Sequence, residues 1–372
     1  MIHTKNKASI KAKIIVVFNK KVYINENYSQ RKDETKMSKK LAYLLVGLLF
    51  TIGIFYYFYQ DSPKNYEQKT TSSDLFDPEI KNNTLAVGPK EDIVIVGKSD
   101  SQDIIIYDLK TKKKIKKLSG FLSPRNIVFS KDSSSFFVSD SSLGSIQEFD
   151  VMTFERIANY PMKKGVFGFA LTADGKKIIA NNQAKNSVTI LELNTKKQET
   201  ISGFSGPRQG ILIDSTDSYA YVTNFQSDDV KVLDLKTKKI INTLKNIPKV
   251  RAISLDEKNN LLYGASSSNN SINVVDSTTG DLLHQIPVGE EPYGCVLLLD
   301  KNLILTGDKG SNQVSVIDLT TNKVIRTING LKAPRQAIAI SQTDDQAYVL
   351  NEDLSVSLID YQKGTILETM DV

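Results

Sequence analysis

Only three side chains in the 372 residues could supply imidazole or thiol chemistry: His3, His284 and Cys295. No His/Cys cluster has the spacing of a zinc, copper or haem site. No nucleophile elbow or phosphate-cradling glycine loop is present either. What remains is guanidinium and aromatic chemistry at regular spacing. Asn83, Arg125, Phe167, Arg208, Arg251, Tyr293 and Arg335 follow one another at intervals of 41 to 43 residues. A guanidinium is a planar donor fork suited to carboxylate or phosphate, and an aromatic ring offers a stacking face. Four such cations brought together would repel unless neutralised. The neutraliser is either an anionic ligand or a set of nearby acids, Asp140, Asp228, Asp229 and Asp308, and the sequence leaves both open.

The elements that would bring these residues together come from a second, stricter period. Asp108, Asp150, Glu192, Asp234, Asp276, Asp318 and Asp360 are spaced by 42 residues, and Thr lies three residues after all but Asp360, which Lys363 follows. A short acid or hydroxyl side chain bonding the backbone two or three residues on pins a tight turn, so these acids are expected to be structural. Around each acid, short alternating apolar runs are separated by polar turns, as in Tyr219 to Asn224 followed by Val230 to Leu235. Each unit thus reads as four strands, and a period in the low forties matches one propeller blade. Seven units fill residues 83 to 372. The expected fold is all-β, a seven-bladed propeller, with the last blade supplying its own outer strand (Thr365 to Met370). The first residue of each inner strand then faces one mouth of the central channel. This phase puts Arg125, Phe167, Arg208, Arg251, Tyr293 and Arg335 there. His284 falls on an outer strand, away from the channel.

The unit Pro207-Arg208-Gln209…Tyr219-Ala220-Tyr221-Val222-Thr223-Asn224…Val230-Lys231-Val232-Leu233-Asp234 resembles the YVTN-type, YncE-like, β-propeller repeat. Pro334-Arg335-Gln336…Ala347-Tyr348-Val349-Leu350-Asn351 and the unit from Pro292 to Asp318 follow the same pattern. The resemblance covers about 290 residues, specific by repetition rather than by any one motif. It implies a seven-bladed, often exported or surface-attached propeller. Relatives of that kind include lactonase-like enzymes, partners of quinone-cofactor dehydrogenases, surface-layer components and a nucleic-acid binder, and fold alone does not choose among them.

Ahead of the array lie three other segments. Residues 1 to 40 hold eleven Lys/Arg and three Asp/Glu, a net +8, so a total of +6 leaves the remainder at −2. The near-neutral array argues against a nucleic-acid partner. Leu41 to Tyr59 are nineteen residues without a charge, long enough to span a bilayer. Lys39 and Lys40 before them orient the N-terminus inside and the propeller outside. No small-x-small cleavage site follows, which predicts an uncleaved anchor. Met37-Ser38-Lys39-Lys40 opens like a normal anchor sequence, so translation is expected to start at Met37, a reading that any peptide from residues 1 to 36 would overturn. Residues 60 to 82 read as a polar tether.

The expectation is therefore a single-pass membrane protein with an extracytoplasmic propeller that binds a protein or small anion at its arginine-ringed mouth. No catalytic residue, metal or cofactor is expected. The alternatives are a lactonase-like enzyme and an accessory of a quinone-cofactor dehydrogenase. The polar loops at Asn181 and Asn182, Asn224, Ser266 to Asn270, and Asn351 are either turn formers or partner contacts. The lysines around Lys112, Lys196 and Lys238 are either a solvated rim or an attraction for anionic surfaces.

Overall fold

The computed structural model describes residues 76 to 370 except residue 78. The expected leader, the apolar stretch 41 to 59 and most of the tether lie outside the described residues, among which no helix is long and apolar enough to cross a membrane. Twenty-eight strands, numbered β1 to β28 in chain order, form seven sheets of four consecutive antiparallel strands. This is the expected seven-bladed propeller. The inner strands are β1 (Asn83–Val87), β5 (Pro124–Phe129), β9 (Val166–Leu171), β13 (Pro207–Ile213), β17 (Val250–Asp256), β21 (Val296–Leu298) and β25 (Ile338–Ile340).

Burial explains why each strand reads as it does. The second strand of a blade lies between two neighbouring blades and is apolar on both faces, as in β2 (Ile93–Lys98), where Val94, Ile95 and Val96 are wholly buried. The fourth strand faces solvent and alternates, as in β28 (Thr365–Met370), which ends on a buried Met370. Seven apolar clusters fill the seven gaps between blades. The one made of Val94, Val96, Tyr107, Ala337, Leu350, Val356 and Met370 joins blade seven to blade one. The last blade does supply its own outer strand, so packing of complete blades, not a donated strand, closes the ring.

The 42-residue acids behave as expected. Asp234 accepts the backbone N–H of Lys236 (2.9 Å) and Thr237 (2.7 Å), and Asp108 accepts both the N–H and hydroxyl of Thr111. Glu192, with one more methylene, reaches only the Thr195 hydroxyl among these donors. Four residues after each acid the backbone is left-handed. Lys112, Phe154, Lys196, Lys238, Gly280, Asn322 and Gly364 all have φ between 52° and 80°. Only two of these seven are glycine, so the turn imposes the conformation on side chains that disfavour it.

Candidate functional site

Five of the seven inner strands begin within one residue of the expected positions. In β5, β9, β13 and β17 the ladder breaks its register near the strand start, between Pro124 and Asn126, and between Pro207 and Ile211, for example. Such bulges turn side chains out of the sheet's alternation, and Arg125, Phe167, Arg208 and Arg251 sit in them. Tyr293 and Arg335 differ from expectation, for they precede their strands. Pro292 makes only an isolated bridge to Asp308, and regular pairing resumes at Val296 and Ile338. The backbones of the two blades approach closely there: a Cβ on Gly307 would lie 2.4 Å from the Arg335 carbonyl oxygen.

The residues nevertheless come together at one mouth, in ring contacts. Arg208 Cζ lies 4.0 Å from the Phe225 ring centroid, and Arg251 Cζ 4.3 Å from the same ring. Arg251 also stands 4.4 Å from the Tyr293 ring and Arg335 5.4 Å from it. Through these shared rings, blades four to seven present the series Arg208, Phe225, Arg251, Tyr293, Arg335. Across the mouth Arg125 lies 4.4 Å over Phe167. Sequence reasoning missed Phe225. It follows Tyr221-Val222-Thr223-Asn224 directly, in a loop whose other blades carry no aromatic at that place, so no period announces it.

Arg125 and Arg335 have more partners than Arg208 and Arg251. Arg125 is 1 % exposed. It donates to the Ser141 hydroxyl (2.8 Å), the Asn82 side chain (3.0 Å) and the carbonyl of Ile80. Arg335 donates to the Lys81 carbonyl (2.9 Å) and pairs with Glu352 at 3.1 Å. Most of these partners belong to residues 76 to 82. That segment adds no strand. It crosses blades one to three, with Phe76 N–H on Ser142 Oγ and Gln183 donating to Asp77 Oδ2.

Arg208 and Arg251 have much less. Arg251 Nε donates to Ser267 Oγ (3.0 Å), while Arg208 Nε, like Arg335 Nε, is buried without a hydrogen-bond partner. Neither Arg208 nor Arg251 forms an ion pair among the described residues. Burial draws the Arg125 guanidinium down to about 10, with Asp140 and Asp77 opposing and Arg208 reinforcing. Burial also lowers Arg208, with Arg251 reinforcing and Asp77 and Tyr293 opposing, and lowers Arg251, with Tyr293 and Glu291 opposing and Arg335 reinforcing. All stay charged at neutral pH. A cation–π contact contributes about 0.5–2 kcal/mol, whereas withdrawing a charged group from water costs several kcal/mol. Ring contacts alone therefore leave the central pair undercompensated.

Three of the four acids that could have neutralised the ring are engaged elsewhere, while Asp229 Oδ1 is buried without a hydrogen-bond partner. Asp140 accepts the N–H groups of Leu122, Ser123, Ser142 and Leu143. Asp308 is held by Gly289 N–H, Gln313 and Ser315, and Asp228 pairs with Lys249 at 3.3 Å. Asp140 and Asp308 belong to another recurring position, the end of the second strand. There Asn182, Asn224, Ser266 and Asn351 likewise tie down the loop entering the blade, as Asn224 does on the N–H of Ser205 and Asn351 on that of Lys332. These side chains are buried turn formers, not surface contacts.

Below the mouth the channel narrows to a cavity of about 220 Å³ lined by Asn83, Asn126, Gln209, Arg251 and Gln336 among others. Gln209 donates to Asn126 (2.9 Å) and Gln336 to the Asn83 carbonyl (3.0 Å). A signal for this amide girdle is present in the sequence, since Pro-Arg is followed by an amide three times, at Asn126, Gln209 and Gln336. His284 is exposed on the outer strand β20 (Leu282–Pro287). Cys295 is buried between blades five and six, where desolvation pushes its thiol up to about 12 and makes it a poor nucleophile. Among the described residues no three His, Cys, Asp or Glu side chains gather as metal ligands would.

The sequence model of the YNCE-like beta-propeller family matches residues 78–344. No curated protein matches the chain. Among solved structures the chain resembles Kuenenia stuttgartiensis Hydrazine Synthase, with a TM-score of 0.65 and 13 % identity over 74 % of this chain and 94 % of that one. At that identity the likeness is one of fold.

Proposed function

Because the chain belongs to the YNCE-like β-propeller family, whose fold serves many unrelated roles, we propose its function from the mouth itself. The protein acts as a non-catalytic binding module, held at the outer side of a membrane by the apolar stretch Leu41 to Tyr59, with the arginine-ringed mouth as its binding face. One observation carries this reading. Arg208 and Arg251 are two partly buried cations for which the fold supplies aromatic rings but no carboxylate contact. Protein interiors rarely leave such charge uncompensated. An anionic ligand or an acidic surface of a partner would complete the set. The location of Cys295 and His284 supports binding over nucleophilic or acid–base chemistry, since neither reaches the mouth. The basic flank at Lys39 and Lys40 supports an outward-facing propeller.

The test compares the full chain with an Arg208→Gln/Arg251→Gln chain, each recovered from its native membrane. The wild type is expected to retain a partner or small anion that the double variant loses, both remaining in the membrane fraction. Equal recovery by the two would contradict the reading. Turnover of lactones that depends on a mouth arginine would replace it with an enzymatic one.

A further inference from the structure

The mouth already holds one peptide segment, the chain's own. Residues 76 to 82 cross blades one to three, and in each of these blades the residue that follows the second strand is engaged. In blade one, Ser99 Oγ accepts the Asn82 N–H (3.0 Å) and donates to the Ile80 carbonyl (3.3 Å). In blade two, Ser141 Oγ accepts from Arg125 Nε at 2.8 Å, and the terminal nitrogens of Arg125 donate to the carbonyls of Ile80 and Phe76. In blade three, Gln183 Nε2 donates to Asp77 Oδ2 at 3.3 Å. An arginine anchored through Nε thus takes main-chain carbonyls, and its neighbour takes a carboxylate.

Three blades on, the same constellation recurs. Ser267 lies sixteen residues after Arg251, as Ser141 does after Arg125, and accepts from its Nε at 3.0 Å. Tyr293 lies 42 residues after Arg251, as Phe167 does after Arg125, and each guanidinium stands 4.4 Å from its ring centroid. The terminal nitrogens of Arg251 make no hydrogen bond among the described residues. Where the two trios of blades differ, they differ chiefly in charge. Arg208 stands where blade one has Asn83. Lys309, paired with Glu291 at 2.7 Å, stands where blade three has Gln183. Blades four to six therefore repeat blades one to three with two more cations.

We infer that blades four to six bind an extended, acidic peptide segment of a partner protein, laid across the mouth as residues 76 to 82 are laid across blades one to three. Arg251 takes main-chain carbonyls as Arg125 does, and Arg208 and Lys309 take acidic side chains. The inference rests on the mouth being the binding face, and it adds the ligand's class. Ser267 is a positioning residue, since it sets the Arg251 fork.

Calorimetric titration of the full chain in detergent tests this with two capped peptides. One has the sequence of residues 76 to 82 with Lys81→Glu. The other has the same sequence with Asp77→Asn, Glu79→Gln and Lys81→Gln, so that it bears no charge. The acidic peptide is expected to bind at least about tenfold more tightly than the neutral one. Arg251→Gln should weaken it by about tenfold or more, and Ser267→Ala, which keeps every charge, by a few fold. Ser141→Ala, which loosens residues 76 to 82 instead, should not weaken it. Should Arg251→Gln fail to fold, as judged by its melting curve, the two serine variants still decide. No binding of the acidic peptide, equal binding of the neutral one, or unchanged affinity in Ser267→Ala would each overturn the inference. So would a loss in Ser141→Ala alone, which would mark exchange with residues 76 to 82. If both peptides fail while native recovery still separates wild type from the double arginine variant, the peptide falls and the binding face stands.

Discussion

The two faces of the propeller solve opposite problems with the same repeat. On the turn face, acids such as Asp108, Asp234 and Asp318 are repeated blade after blade, lie near solvent, and accept hydrogen bonds from their own hairpins. Those bonds, from the Thr three residues on, hold their carboxyls below the ordinary range. On the mouth face the recurring position varies among Asn, Arg, Phe and Tyr, and the charges there are buried or half-buried. Regularity accompanies a local structural duty that every blade must perform. Variation accompanies a shared surface that no single blade could build. The mouth is itself divided. Arg125 and the terminal nitrogens of Arg335 reach residues 76 to 82 and neighbouring side chains, whereas Arg208 and Arg251 face only rings and one hydroxyl.

The largest effect separating the faces should come from Arg125→Ala. It removes the largest fully buried side chain and strands the carbonyl of Ile80 and the hydroxyl of Ser141. A loss of about 3 kcal/mol is expected from a buried charge with its hydrogen bonds, read from denaturant midpoints. Asp234→Ala on the turn face should lose less, because only one exposed hairpin relaxes. An equal or greater loss there would erase the contrast.

The faces should next differ in the sign of their pH response. The turn acids are depressed in the folded state, so their contribution is present above the ordinary value near 3.8 and is lost as pH falls through the lower folded value. Burial raises Asp140, Asp229 and Asp308 on the mouth face. Their contribution is present below 3.8 and is lost as pH rises through the higher folded value. Asp308→Asn should therefore flatten the stability profile above pH 3.8, and Asp234→Asn should flatten it below. Denaturation midpoints across a pH series read both, and the same sign in both variants would break the comparison.

The smallest effect concerns the left-handed residue of each hairpin. Lys196→Gly relieves a φ of 57° and should stabilise by up to about 1 kcal/mol. Gly280, already at φ 80°, offers no such gain, and Gly280→Lys should cost a similar amount. Melting temperatures of the two variants check the pair.

Much of the turn face was legible in the sequence because its interactions are local. An acid and the Thr three residues on carry the hairpin within one stretch of chain, and a strict period reveals it. The mouth was legible only in phase. The inner-strand arginines could be placed because β5, β13 and β17 start where the repeat puts them. Phe225 could not, since it matters through Arg251 of the next blade. Nor could the segment before β1, whose carbonyls satisfy Arg125 and Arg335 on two different blades. Its polar composition reads as a tether and carries no mark of those partners. The shortened β21 and β25 likewise leave no mark in the repeat, whose phase there matches that of the other blades.

The central claim is that binding happens at the mouth, on the side of Arg208 and Arg251. Hydroxyl-radical footprinting of the full chain in its native membrane extract addresses it most directly, because Phe225 and Tyr293 report the mouth and Tyr219 reports the turn face. The account predicts protection of Phe225 and Tyr293 in wild type, lost in Arg208→Gln/Arg251→Gln, with Tyr219 unchanged. Protection confined to Tyr219, with Phe225 and Tyr293 equally reactive in both chains, would contradict it.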